Sequence, residues 1–491
     1  REQMSAMLSR TLQHLSIQSF QQSLLFKDKS KINSIYIKEI ESLVFLGIVA
    51  HKEGIDFRPK DKVTRGEASA FLNRTQNIID NPKIITSNVS YNTTFDAMVK
   101  TQMSLPKSWA PRADGSARFR ASQKNVSYYA NPSNFEKGTT EFLQFLDLSQ
   151  VINISAAEIN KTFLTNTGAL SNQGQQFVEA GKLYGVNAIY LLAHALHETG
   201  NGSSVLSQGV PLDKNGKVMR DSDGNLVDHS LASKVVYNFF GYGARDTDPV
   251  NLGAAKALEE KWFTPKAAIW GGVKLIAENW IHHPTYQQNT LYKMRWNPNK
   301  PGTHQYATHT RWAVLQTNIM ASDSFKKTLN QYTLTYELPQ YSNQPSKTTK
   351  PTGAALYLVD KTFPVSKGTV TASSLNVRRI PGSLSASNLI GVLPKALEVT
   401  INGDNGGWVN VTASNVSGWV SGEYLEFTVP DKKLSGALGA VNTNSLNLRK
   451  GPSTEFTSLN KLDKGSNVIL EGQAGDWYKV LAKVDNKQVS G

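Results

Sequence analysis

The chain has 491 residues, of which 39% are hydrophobic and 19% charged, and this length predicts several domains rather than one core. It contains no cysteine, which excludes disulfides, thiolate metal sites and cysteine nucleophiles. The formal net charge of +14 favours a polyanionic partner, but no Lys/Arg-rich helix accompanies it, so we expect no nucleic acid among the partners. No apolar run reaches the ~20 residues that span a bilayer, so we expect no transmembrane segment.

Residues 1–80 have a helical pattern. Thr64 is a good helix N-cap, and Glu67 three residues later completes a capping box. Arg1–Arg10 resembles the capped helix that follows Thr64, as if it were the end of a preceding repeat. Because the sequence begins inside this motif, we expect a processed or trimmed product. The pattern resembles the S-layer homology repeat, with one partial and one full copy, and a generic helical hairpin is the alternative. The resemblance implies attachment to an anionic secondary polymer of the Gram-positive cell wall.

Residues 81–340 contain an apolar helix that ends on an acid. The run Ala188–Thr199 is apolar on nearly every face, Asn187 can cap its start, and Gly200 ends it. Glu198 therefore lies at the negative end of the helix dipole in a partly buried position, and both effects raise its pKa. A carboxyl that stays protonated near neutral pH can protonate a glycosidic oxygen. An ion pair with Lys or Arg is the alternative reading of its position.

The residues around Glu198, L-x-A-H-A-L-H-E-T-G-N-G-x-S, closely resemble glycoside hydrolase family 73, the endo-β-N-acetylglucosaminidases of bacterial cell walls. Val236–Ala244 resembles the family element Y-N-x-F-G-I-G-A, with Tyr242 in place of Ile, and Gln305–Thr308 resembles G-Y-A-T. The resemblance implies a mainly helical, lysozyme-like domain with a small β-lobe, preceded by an N-terminal extension. It also implies Glu198 as general acid, Tyr306 as a second catalytic residue, and cleavage of the β-1,4 bond after N-acetylglucosamine.

Polar and aromatic side chains of Val236–Ala244 and of a further matching segment, Asn289–Pro298, are expected to bind the glycan. They are Tyr237, Asn238, Phe240, Tyr242, Tyr292 and Trp296. We expect at least one of Tyr292 and Trp296 to line the cleft, because Asn297 and Pro298 break the helix there. The core of a helical domain is the alternative place for these aromatic residues.

A second catalytic carboxylate is not obvious, because no glutamate occurs between positions 199 and 258. Turn formation accounts for Asp213, Asp221 and Asp223. Asp228 and Asp246 remain as candidate second acids. The separation of two carboxylates would decide between inversion and retention of configuration. Without a second one, the substrate's own 2-acetamido oxygen can act as the nucleophile, and this is the version we favour.

Two histidines lie directly before the candidate acid. His194 and His197 are three positions apart, whereas a zinc protease helix needs two His four positions apart around a Glu. We therefore expect both side chains to hydrogen-bond within the core. We expect no metal and no cofactor.

The C-terminal part contains an internal repeat. Residues 341–353 have linker composition, and after them Ser374–Arg378 recurs as Ser445–Arg449, 71 positions later. Short alternating runs separated by turns predict small β-barrels. The repeat resembles the bacterial SH3 domain, with one copy over 354–430 and a truncated one over 435–491. The resemblance implies binding of peptidoglycan peptides, although we expect core packing rather than ligand contact for Trp408 and Trp477.

The expected architecture is a multidomain α+β protein. It comprises a helical S-layer-homology region, a lysozyme-like catalytic domain and two small C-terminal β-barrels. We expect a secreted, cell-wall-associated monomer of a Gram-positive bacterium that acts on peptidoglycan. Two alternatives remain: a lytic transglycosylase that cleaves after N-acetylmuramic acid, and a non-catalytic wall-binding protein.

Overall fold

A computed structural model describes residues 1–14, 24–50, 54–80, 85–115, 118–244, 248–329, 331–382 and 385–491. The chain divides into two compact units. The first contains Arg1–Asn92, Phe135–Gln305 and Ala313–Tyr341, and the second contains Thr93–Asn134, Tyr306–Trp312 and Ser342–Gly491. No helix of the described residues is both long enough and apolar enough for a bilayer crossing.

The described α-helices are numbered in chain order as follows: α1 Glu2–His14, α2 Ile37–Phe45, α3 Arg65–Asp80, α4 Phe95–Met103, α5 Gln123–Ala130, α6 Ala156–Thr162, α7 Gly174–Tyr184, α8 Ala188–Glu198, α9 Val205–Gln208, α10 Pro249–Glu259, α11 Pro265–Ile276, α12 Leu291–Trp296, α13 Trp312–Met320 and α14 Asp323–Leu329. A short π-helix, Ala277–Ile281, continues α11.

The described strands are β1 Ile85–Thr94, β2 Val210–Leu212, β3 Lys234–Val236, β4 Thr335–Ser342, β5 Lys367–Val370, β6 Ser374–Arg378, β7 Leu389–Pro394, β8 Glu398–Asn405, β9 Trp408–Ala413, β10 Val416–Ser421, β11 Leu425–Phe427, β12 Leu438–Ala440, β13 Leu446–Arg449, β14 Ser458–Leu462, β15 Asn467–Ala474, β16 Trp477–Val484 and β17 Lys487–Ser490.

In the first unit, helices α1 to α3 enclose their own hydrophobic core. The predicted capping box at the start of α3 is confirmed: the Glu67 amide donates to Thr64 Oγ1 (3.2 Å), and the Thr64 amide donates to Glu67 Oε2 (3.1 Å). The buried carboxylate of Asp28 accepts the amides of Phe57 and Arg58, both at 2.7 Å. Buried groups are costly unless hydrogen-bonded, so this pair of bonds fixes the loop before α3.

Helix α8 is buried along most of its length, with every residue from Ala188 to Leu196 buried. The predicted cap is confirmed, because Asn187 Oδ1 accepts the amides of Ile189 (3.0 Å) and Tyr190 (3.2 Å). Helix α7 precedes α8 and ends at Gly185 in the left-handed conformation (φ 65°). A methyl group at Gly181 of α7 would lie 2.8 Å from the Val186 carbonyl oxygen, so glycine allows the tight connection between the two helices.

The predicted β-lobe follows α9. Strands β2 and β3 pair antiparallel, with Val210 opposite Val236. Asp213 Oδ1 accepts the amides of Asn215 (2.8 Å) and Lys217 (2.9 Å), and Asp221 shapes the next turn in the same way. Both aspartates therefore have the turn roles expected from the sequence.

In the second unit, the described C-terminal strands form antiparallel sheets. The larger sheet has the order β11-β5-β8-β9-β10-β6-β7, and a four-stranded sheet has the order β12-β15-β16-β17. The two copies of the repeated motif form β6 and β13, and the register of each shifts at its last step, Val377/Arg378 and Leu448/Arg449. The repeat in sequence is thus a repeat in structure. Trp408 is buried, as expected, whereas Trp477 is only half-buried.

A buried charge cluster lies within the second unit. Arg120 Nη1 is 2.8 Å from Asp360 Oδ2, and its Nη2 is 3.7 Å from Asp404 Oδ1 and 3.8 Å from Glu455 Oε2. Burial, followed by the negative charge of Glu455, raises the pKa of Asp404 to about 7. The cluster therefore contains a carboxyl that favours its neutral form.

Candidate active site

The candidate acid lies where α8 stops. Thr199 Oγ1 donates to the Ala195 carbonyl (2.6 Å) and accepts the Gly202 amide (2.8 Å). The three residues that follow, Gly200, Asn201 and Gly202, all have positive φ, which no helix can continue. The chain therefore turns away directly after Glu198, as the sequence predicts, and leaves this carboxyl at the free end of a buried helix.

The Glu198 side chain is 32% exposed. Burial raises the pKa of its carboxyl. Among the described residues no Lys or Arg forms an ion pair with it, and its Oε1 atom lies 3.8 Å from His194 Nε2. The structure therefore does not support the alternative interpretation of Glu198 as an ion-pair partner with Lys or Arg, and burial remains the cause of its raised pKa.

A tight loop closes over this carboxyl. Asn238 Nδ2 donates to the carbonyls of Tyr242 (2.7 Å) and Gly253 (3.2 Å), and its Oδ1 accepts the Phe240 amide (3.3 Å). The loop brings Gly241 (φ 66°) against the acid, and a Cβ at this position would lie 3.1 Å from Glu198 Oε2. Gly241 is a site residue that the sequence analysis missed. Its position between two aromatic residues, in F-F-G-Y-G, was the available signal.

The four residues predicted to bind glycan from this loop divide into two classes. Asn238 is 2% exposed, and Phe240 is buried with its ring 5.5 Å from that of His194. For these two the structure indicates support of the loop rather than contact with substrate. Tyr237 and Tyr242 are partly exposed, and for these two residues the binding role stays a prediction.

Tyr292 and Trp296 are both 0% exposed, which corrects the expectation that one of them lines the cleft. The Tyr292 hydroxyl lies 3.1 Å from that of Tyr341, and the guanidinium of Arg295 stacks 3.9 Å from the Trp296 ring centroid. Asn297 ends α12 in the left-handed conformation, as the predicted break requires. The break is correct, but the whole short helix lies in the core.

Tyr306 belongs to the second unit. Its ring is partly exposed and stacks on Trp312, with centroids 4.5 Å apart and an interplanar angle of 24°. Its catalytic role stays a prediction from its motif.

Of the two candidate second acids, the structure describes only Asp228. Asp228 is exposed and accepts the hydroxyl (2.6 Å) and the amide (2.8 Å) of Ser230, and these bonds lower its pKa. The structure thus gives Asp228 a role in a surface turn. Asp246 lies outside the described residues.

The histidine expectation is half correct. His194 is buried and its Nδ1 lies 3.2 Å from the Tyr190 hydroxyl, whereas His197 is exposed rather than in the core. His197 sits one position before Glu198, on the turn of α8 that faces solvent. Over the part of the chain that the structure describes, no group of three or more His, Cys, Asp or Glu side chains could hold a metal ion.

A carboxyl of raised pKa at the end of a buried helix, beside a tight loop and a small β-lobe, is an arrangement suited to acid catalysis of glycoside hydrolysis. Residues 174–325 match the Glucosaminidase family, described as mannosyl-glycoprotein endo-beta-N-acetylglucosaminidase. The chain therefore contains a domain of glycoside hydrolase family 73.

The chain is also similar to two curated proteins and to a solved structure. A Bacillus subtilis protein named beta-N-acetylglucosaminidase is 42% identical over 221 residues, which are 45% of this chain and 22% of that protein. A Staphylococcus aureus bifunctional autolysin is 41% identical over 198 residues, 40% of this chain and 14% of the relative. The crystal structure of S. aureus glucosaminidase B aligns with 30% identity and a TM-score of 0.42, over 55% of this chain and 98% of that one. The chain thus matches less than a quarter of the length of either curated relative.

Proposed function

We propose that this protein is a peptidoglycan hydrolase that cleaves the β-1,4 bond after N-acetylglucosamine in wall glycan, with Glu198 as the general acid. The observation that carries the proposal is the raised pKa of a partly buried carboxyl with no cationic partner among the described residues. The names of the two curated relatives, a beta-N-acetylglucosaminidase and an autolysin, support the same substrate.

In the proposed reaction the Glu198 carboxyl donates its proton to the glycosidic oxygen as the bond from C1 to that oxygen breaks. Positive charge then develops on the sugar ring. The exposed position of Asp228, whose carboxylate is bound to Ser230 in a turn, argues against that residue as a partner carboxylate. Asp246 lies outside the described residues, and no glutamate occurs between positions 199 and 258. We favour the 2-acetamido oxygen of the substrate as the nucleophile, with Tyr306 as the group proposed to orient it or to stabilise the developing charge. Water opens the resulting intermediate and returns a proton to Glu198.

The flanking regions are proposed to hold the enzyme on its insoluble substrate. Residues 1–80 are assigned to an anionic secondary wall polymer, and the two C-terminal repeats, as SH3-type barrels, to peptidoglycan peptides. Tethering of this kind raises the effective concentration of enzyme at the wall. The proposed setting is a secreted monomer associated with the wall of a Gram-positive bacterium.

Replacement of the acid tests the function. Glu198→Gln keeps the size of the side chain but has no proton to donate, so we expect lysis of purified walls to fall at least ~100-fold. Glu259→Gln on α10, which removes a carboxylate that is 70% exposed, is the matched control and is expected to keep full activity.

The products of the wild-type digest give the second readout. Mass spectrometry should find reducing N-acetylglucosamine ends. Anhydro-muramyl ends would instead identify a lytic transglycosylase, and undiminished lysis by Glu198→Gln would refute the role of Glu198.

A further inference from the structure

Three polar side chains follow one another along a single face of α8. Tyr190, His194 and Glu198 are four positions apart, a spacing that places side chains one above the other on a helix. The Tyr190 hydroxyl lies 3.2 Å from His194 Nδ1, and His194 Nε2 lies 3.8 Å from Glu198 Oε1. Tyr190 and His194 are both buried, whereas Glu198 reaches the surface. The line therefore leads from the interior of the first unit to the candidate acid.

The charge state of His194 is set by its surroundings. Burial, followed by the nearby His197, lowers the pKa of His194 to about 4. The ring is therefore neutral at the pH of any wall assay, and only one of its nitrogens carries a proton. If the Tyr190 hydroxyl donates to Nδ1, that proton is on Nε2 and points towards Glu198. The opposite tautomer would place the Nε2 lone pair against a carboxylate oxygen, so the first arrangement makes both contacts attractive.

We propose that Tyr190 and His194 are positioning residues for Glu198: the tyrosine fixes the histidine tautomer, and the Nε2–H group donates to Oε1 once the carboxylate forms. The 3.8 Å separation is too long for a hydrogen bond to the neutral acid, and it closes when the acid ionises. Oε2, which faces Gly241, is then the oxygen that delivers the proton. This inference rests on the proposed role of Glu198 as general acid.

The proposed hydrogen bond from His194 to Glu198 affects how kcat/KM depends on pH. A hydrogen bond donated to the carboxylate favours the ionised form, so His194 opposes the effect of burial on Glu198. A general acid must be protonated, so activity is lost as pH rises through its pKa, on the alkaline limb of kcat/KM. Apart from the neutral His194, no described Lys, Arg or His lies within ion-pair distance of Glu198, and Asn238, Phe240 and Gly241 of the facing loop carry no charge. His197, exposed on the same helix, acts on His194.

The test is the alkaline limb of kcat/KM on a soluble glycan fragment of the wall. His194→Leu removes the donor from a buried site, and we expect the limb to move up by about one pH unit. His194→Gln, whose amide nitrogen can occupy the place of Nε2, should bring the limb back towards that of the wild type. Tyr190→Phe should move it in the same direction as His194→Leu but less. Tyr336→Phe, which removes a buried hydroxyl on β4, should leave it in place.

A merely structural role would lower activity equally at all pH values. His194→Leu with an unmoved limb would therefore overturn the proposal, as would a failure of His194→Gln to restore it. If His194→Leu does not fold, Tyr190→Phe carries the test, and an unmoved limb in that variant overturns the proposal. The result with Glu198→Gln is separate: an active Glu198→Gln refutes the general acid itself, whereas an inactive one together with an unmoved limb refutes only the positioning by His194.

Discussion

At the scale of single residues, the acid function proposed for Glu198 depends on its raised pKa and on the residues around it. The sequence predicts only the first of these. The place of Glu198 at the end of an apolar helix predicts a raised pKa, and the structure confirms the direction, with burial as the cause. The sequence could not place the residues that surround it. Gly241 comes from a loop 43 positions further along the chain, and no periodicity connects that loop to α8.

Gly241 gives the first residue-scale prediction. In Gly241→Ala, the new methyl group would lie 3.1 Å from Glu198 Oε2, on a backbone with φ 66° that L-residues disfavour by ~1 kcal/mol. We expect kcat to fall about tenfold, because a small displacement of a catalytic group is costly. Steady-state kinetics on soluble glycan measure the change.

Gly224→Ala is the matched control, since Gly224 has φ 84° and nothing within 4 Å of its would-be Cβ. Its φ is also positive, but the new methyl group would meet no atom of a distant residue. Equal losses of kcat in the two variants would show that strain alone is responsible and that Gly241 has no special relation to Glu198.

Two aromatic residues of α12 lie in the core rather than near the cleft, where the sequence analysis expects one of them. Tyr292 and Trp296 were predicted near the cleft because a helix break follows them, and the break exists. A helix break shows where the helix ends, but it does not show which faces of the helix are buried. All six residues of α12 are buried, including Lys293 and Arg295, so the polar residues of this helix do not mark an exposed face.

At the scale of elements, local signals were the most reliable. The capping box of α3, the Asn187 cap of α8 and the turns at Asp213 and Asp221 all rest on contacts within four residues, and all are confirmed. The charge cluster around Arg120 was not predicted. Its members Asp360, Asp404 and Glu455 lie more than 200 positions from Arg120 in the chain, so only the fold brings them together.

This cluster predicts a pH dependence of stability. The pKa of Asp404 is about 7 in the folded chain and near 3.8 when unfolded, so between these values the folded form binds more protons. Stability of the second unit should therefore fall as pH rises through this window. Asp404→Asn should flatten the dependence, by at least ~1 kcal/mol between pH 5 and pH 8.

Calorimetric unfolding at the two pH values measures this difference. Asp485→Asn, in the exposed turn between β16 and β17, removes the same charge without a buried partner and should behave as the wild type. A wild-type slope that persists in Asp404→Asn would mean that another group binds the proton.

At the scale of the whole molecule, the sequence predicts modules, and the described residues divide into two compact units. Residues 1–92 fall in the same unit as helices α6 to α12. The internal repeat of the C-terminal part could be recognised from sequence because both copies conserve the same strand and bulge. The sequence could not show to which unit each segment belongs, because that depends on contacts between residues far apart in the chain.

The last prediction concerns the role of residues 1–80. Helices α1 to α3 have a separate hydrophobic core, so their removal is expected to leave the catalytic helices folded. If this region binds a wall polymer, its deletion should weaken binding to intact walls about tenfold or more, since a tether acts through effective concentration. Turnover of a short soluble glycan should change by less than about twofold, because that substrate offers no polymer to bind. Co-sedimentation with walls and kinetics on the fragment measure the two quantities on the same preparation. Equal losses in both assays would instead show that residues 1–80 support the catalytic fold, in keeping with the contact from Asn153 Nδ2 to the His14 carbonyl (2.6 Å) at the end of α1.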